Sequence, residues 1–180
     1  MSDQIVFSDG MSTNDKILAT IYGLNIDRKD YLQKGDLVLI LDIMDEKYDN
    51  FIMIKTSTDL RKSLREFYDK DNYKYVDIRR IVNVKKGNSN WERSDFASEI
   101  LTCMNNYKTE EYKNGKFDSI YYSDILELFD SKLEKEKIDI KYIFKNDTIF
   151  IEELRNEESS PYVFECVGKN CKNLTNGSQY

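Results

Sequence analysis

The sequence predicts a single α+β domain, with a twisted, partly barrel-like sheet of mixed or antiparallel strands and helices inserted between them. Three observations carry this. The chain has 180 residues, one domain at about 100–200 residues per domain. Its 13% aromatic residues, 13 Tyr and 9 Phe among them, supply a core, while one Pro and 7 Gly leave little material for linkers. Strand-like and helix-like runs also follow one another irregularly, as they do when strands pair out of sequence order. The expected division is a lead-in and short helix over 1–30, the domain proper over 31–168 and a polar tail over 169–180.

The elements follow in order. Thr13 is placed to cap a helix through Tyr22, with Ile17, Leu18 and Ile21 on one face and Gly23 ending it. Lys34-Gly35-Asp36 turns into Leu37–Met44, whose run Leu37-Val38-Leu39-Ile40-Leu41 reads as a buried strand. Phe51–Thr56 is a second strand after an acidic turn. Leu60, Leu64 and Phe67 stand at helical spacing within Thr58–Tyr68. Tyr73–Val84 interleaves apolar residues and charges, with a slip in the alternation that points to a bulge near Arg79-Arg80. A helical protein, by contrast, would make Leu60–Val82 mostly helix. Ser94 is placed to cap a helix to Tyr107, and Phe117–Tyr122 reads as a short strand. Ser123 or Asp124 starts a helix striped by Ile125, Phe129 and Leu133, whose outer Glu134-Lys135-Glu136-Lys137 alternates in sign. Ile138–Phe144 and Thr148–Ile151 read as a hairpin, and Tyr162–Val167 as the closing strand.

Absent residues narrow the chemistry. There is no His, which excludes Ser–His and Cys–His nucleophilic catalysis and imidazole metal sites. Three thiols, Cys103, Cys166 and Cys171, make a poor zinc site without His. Reduced thiols are expected, although Cys166 and Cys171 are near enough in sequence to pair. No phosphate-binding loop, metal cluster or paired-carboxylate spacing stands out, so neither catalytic residues, cofactor nor metal is assigned. Met1-Ser2-Asp3-Gln4 has no basic region or apolar core of a signal peptide, and no apolar stretch approaches the roughly 20 residues of a membrane span. An intracellular protein is expected.

Charge is uneven. Leu60–Arg93 holds ten cationic residues against five acidic ones, a local +5, whereas the whole chain is at -6. An acidic body attracts basic partners such as histone tails or ribosomal-protein extensions. Within the basic stretch, Arg79, Arg80, Lys85 and Lys86 are the expected phosphate contacts of a nucleic acid, against the alternative of a solvated surface. Trp91, Tyr121 and Tyr122 are the expected partner-binding aromatics, against the alternative of core anchors. Tyr48, Tyr68, Tyr73 and Tyr75 would be further walls of any aromatic cage around a methyl-ammonium, with core positions again the alternative.

Over residues 31–168 the order of elements resembles a divergent bromo-adjacent homology (BAH) domain, as in the large origin-recognition subunit and its silencing relatives. Tyr31-Leu32-Gln33-Lys34-Gly35-Asp36-Leu37-Val38-Leu39-Ile40 resembles the family's entry strand. Asp118-Ser119-Ile120-Tyr121-Tyr122-Ser123-Asp124 resembles the later strand that ends in Ser, and Tyr162-Val163-Phe164-Glu165-Cys166 the closing aromatic strand. Ile81-Val82-Asn83-Val84-Lys85-Lys86 lacks the Trp and Arg-Pro common in the family, so no methyl-lysine cage is carried over. The resemblance implies a non-catalytic module that recognises a basic histone tail or nucleosome face in the nucleus. The alternative expectation is an accessory or dormancy factor on the cytoplasmic ribosome or another ribonucleoprotein.

Overall fold

The computed structural model describes residues 10–45, 49–109, 112 and 114–147. Phe7–Asn146 form one compact unit of mixed α+β structure. The expected strands Thr148–Ile151 and Tyr162–Val167, the polar tail and the Cys166/Cys171 pair lie outside the described residues, as does Tyr48.

Among the described residues five antiparallel strands make one sheet, in the order β4-β2-β1-β3-β5. They are β1 (Lys34–Met44), β2 (Asn50–Asp59), β3 (Tyr75–Asn83), β4 (Lys116–Asp118) and β5 (Ile143–Lys145). Among the described residues the sheet is open, with β4 and β5 at its edges, so these strands do not close into a barrel. The helices are α1 (Thr13–Gly23), α2 (Leu60–Arg65), α3 (Val84–Gly87), α4 (Arg93–Cys103) and α5 (Tyr122–Lys135). A wider helical turn, Glu66–Lys70, continues α2.

The pleat divides the core in two. Successive side chains of a strand point to opposite faces. Leu37, Leu39, Leu41 and Ile43 therefore join Ile17 and Ile21 of α1 and Leu60 and Leu64 of α2. Val38 and Ile40 face the other way, into Phe96 and Ile100 of α4 and Ile125, Phe129 and Leu133 of α5. Central strand β1 is thus buried on both faces, which is why its apolar run is unbroken. At its entry Gly35 holds φ +132°, and a Cβ there would lie 2.6 Å from the Asn83 amide. That amide donates to the carbonyl of Tyr31 at 2.9 Å, tying the β1 entry to the end of β3.

The bulge expected in β3 is present. Ile40 pairs with Arg80 but Leu41 with Ile78, leaving Arg79 as the extra residue. Two expected strands are shorter than anticipated, for one reason. Asp118 accepts a hydrogen bond from the Ile120 amide at 3.1 Å, and Asp139 one from Lys141 at 3.0 Å. Each carboxylate folds the following residues into a 3-10 turn, at Ser119–Tyr121 and Ile140–Tyr142. Tyr121 and Tyr122 consequently lie on a turn and a helix start rather than on a strand. Caps differ too: Ser12, not Thr13, caps α1, accepting from Asp15 at 3.1 Å. α4 begins at Arg93 rather than after Ser94.

Candidate functional site

The four expected phosphate contacts do not form one surface. Arg79 is buried, its guanidinium 2.8 Å from Asp77 and donating to the Asn146 carbonyl at 3.3 Å. Arg80 is also buried and grips Asp130 of α5 with two bonds of 2.9 Å, while donating to the Arg79 carbonyl at 2.8 Å. Both arginines fasten the bulged strand to its surroundings and are withdrawn from any phosphate. Only Lys85 and Lys86, on α3, are exposed, and Lys85 is in contact with Glu92. Arg93 meets Asp36 at 2.8 Å. Arg79, Arg80, Lys85 and Arg93 of that basic stretch are thus each tied to a carboxylate, the first two in the interior.

The partner-binding aromatics divide as well. Trp91 is half-buried and packs edge-on against Phe96, centroids 5.3 Å apart. Its face is already covered by the Lys132 ammonium at 4.7 Å, which also contacts Glu99 and, at 3.4 Å, Glu136. Trp91 thus packs at the border of the core with a resident cation over its face. Tyr122 lies 5.4 Å from the Arg79 guanidinium, so two residues expected on separate interfaces meet each other instead. Tyr121 stacks on Tyr107 at 4.6 Å, both half-buried beside the core.

The surface the structure does assemble lies on α4 and α5. Their inward stripes are held against the sheet by Phe96, Ile100, Ile125 and Phe129. Their outward sides expose Asp95, Glu99, Asp124, Glu127 and Glu134, with Lys135 the exposed cation on these helices and Lys137 just past their end. Between them runs an open groove of about 490 Å³, lined by Leu128, Thr102 and Cys103 together with Glu99, Lys132 and Lys135. Sequence reasoning placed an alternating-sign face at Glu134–Lys137. It did not find the acidic face, because its residues come from two helices separated in sequence and joined only through the core.

Beneath the opposite helical layer, burial pushes the Tyr68 phenol up to about 12. Burial raises Tyr73 and Tyr75 also, with Asp71 and Asp77 respectively as the next cause. The unfolded chain then releases the Tyr68 proton near pH 10 and the folded chain near pH 12. The stabilisation from the neutral phenol is complete below pH 10 and lost as pH rises towards 12, by about 2–3 kcal/mol for Tyr68. Denaturant melts across this window, beside the ultraviolet absorbance of phenolate, check it. Stability that falls no further in wild type than in Tyr68→Phe would sink the assignment.

No family model, curated protein or solved structure matches the chain. Fold and surface together define a class: an antiparallel sheet between two helical layers, one of them acidic on its outer side. Among the described residues no group of three or more acidic or thiol side chains is arranged to hold a metal. No described helix is long and apolar enough to cross a membrane.

Proposed function

We propose that the chain is a non-catalytic interaction module whose α4–α5 layer docks on a large basic assembly. The single observation behind this is the exposed set Asp95, Glu99, Asp124, Glu127 and Glu134, which stands against one exposed lysine on the same two helices. Such a field draws in basic chains and raises their association rate. Chromatin is the first destination, with histone tails or the nucleosome face as ligand and the nucleus as compartment. The BAH resemblance puts it ahead of the ribosome, whose basic protein extensions carry the same chemistry in the cytoplasm. Arg79 and Arg80 drop out of the binding surface, because releasing them would break the β3–α5 contact. Lys85 and Lys86 are the residual phosphate contacts at its margin.

Binding to reconstituted nucleosomes and to purified ribosomes, each across a salt series, tests the reading. The combined Asp124→Lys, Glu127→Lys and Glu134→Lys variant is expected to lose on the order of tenfold in affinity at low salt and to flatten the salt dependence. Unchanged affinity in that variant would remove the acidic face from binding. Ribosomes bound in preference to nucleosomes would move the module to the ribosome.

A further inference from the structure

Among the described residues, the second half of β2 is an open sheet edge. Three-residue β4 pairs only with Phe51, Ile52 and Met53, and the Ile54 amide then donates to the Gly115 carbonyl at 2.9 Å. That bond fixes the alternation. Ile52, Ile54, Thr56 and Thr58 turn their peptide groups away from β1, while Lys55 and Ser57 turn theirs towards it. Beyond Ile54 no described strand lies along this edge. The peptide groups of Thr56 and Thr58 border an open polar groove of about 260 Å³, walled by Lys62, Ser63 and Glu66 of α2 and its continuation and by Arg93 of α4.

The charges beside this edge are of both signs, and their order is self-complementary. Lys55 and Asp59 lie two residues either side of Ser57 and on the same face of the strand. Lys62 and Glu66 repeat the pairing of signs along the adjoining helix. A ligand of one sign would match half of this lining. A second β2 laid antiparallel about a two-fold axis at Ser57 matches all of β2's part: each Lys55 falls opposite the other copy's Asp59. The same register sets Thr56 against the other copy's Thr58 with their outward peptide groups facing, so both can exchange backbone hydrogen bonds.

We infer that this edge, Lys55–Asp59, is a self-pairing surface through which two copies of the chain join their sheets, β2 to β2. Lysine on an edge strand ordinarily discourages pairing. Here it selects one register, since only the antiparallel arrangement centred on Ser57 meets it with a carboxylate. The contact is isologous, as closed dimers require, and lies at the β2 edge, apart from the acidic α4–α5 face. Its short ladder makes it a reversible dimer.

The test is sedimentation of the full chain over a concentration series up to its solubility limit, with circular dichroism as the control for folding. The wild type is expected to pass from monomer to dimer. Thr56→Pro removes an outward donor at a position where β1 needs none, and should leave a folded monomer. Lys55→Glu sets like charges opposite each other twice and should weaken the dimer by about tenfold. If Thr56→Pro disturbs the fold, Lys55→Glu alone decides. A wild type that stays monomeric throughout overturns the inference. So does a dimer whose affinity Lys55→Glu leaves unchanged.

Discussion

Asp130→Ala is expected to destabilise the fold by about 3–5 kcal/mol, the range for stranding one partner of a buried ion pair. The Arg80 side chain is only 4% exposed, against 29% for Asp130. Removing the carboxylate takes away the acceptor of two of the guanidinium's hydrogen bonds and leaves that charge in the interior, where it also donates to the Arg79 carbonyl. The reverse change, Arg80→Ala, strands a group that water already reaches and that Lys145 approaches to 3.7 Å. Its electrostatic penalty is therefore smaller. The pair is thus asymmetric, and the asymmetry is what urea melts of the two variants measure. Against a total stability of about 5–15 kcal/mol, Asp130→Ala removes a large part. Replacing both residues by apolar ones, Arg80→Met with Asp130→Leu, should recover most of the loss, because neither charge then remains buried. Equal losses of under about 1 kcal/mol for both single variants would mean that the pair behaves as a surface contact, and that Arg80 is free to act outside the fold after all.

The same pair shows where sequence stops being legible. Alternation alone located the bulge at Arg79-Arg80, since an extra residue in a strand disturbs a period of two wherever the partner strand lies. It could not say that these arginines point into the protein. Their partners are Asp77 on the same strand and Asp130 on a helix fifty residues away, and only the packing of α5 on the sheet brings Asp130 within reach. The strand Leu37–Met44 was readable for the opposite reason: burial on both faces writes itself into a continuous apolar run. Strand ends were misjudged where local chemistry competed with the sheet. Asp118 and Asp139 each sit two residues before the amide they capture, and that local bond cuts the strand short although the apolar pattern runs on past it. The acidic face follows the logic of Arg80. Its members are ordinary surface carboxylates until α4 and α5 lie side by side.

Phe96→Ala should cost about 3–5 kcal/mol, and Trp91→Ala distinctly less, although Trp is the larger side chain. Phe96 is fully buried and stands between two aromatic neighbours, edge-on to Trp91 at 5.3 Å and to Phe129 at 6.2 Å. Truncating it opens a cavity where α4 meets both the sheet and α5, and forfeits two ring contacts worth about 0.5–1.5 kcal/mol each. Trp91 borders that cluster from outside, with part of its ring in water and Lys132 over its face. Its removal leaves a dent that solvent can fill, and frees Lys132, which keeps Glu99 and Glu136 as partners. Trp91 is also the sole Trp, so its emission reports on the Phe96 site without labelling. In Phe96→Ala that emission should shift to the red before global unfolding. The two variants further separate packing from recognition. If Trp91 is an anchor whose face belongs to Lys132, Trp91→Ala binds the basic partner as the wild type does. A loss of binding in Trp91→Ala at unchanged stability would return the indole to the interface and make Lys132 a residue that moves aside for the ligand.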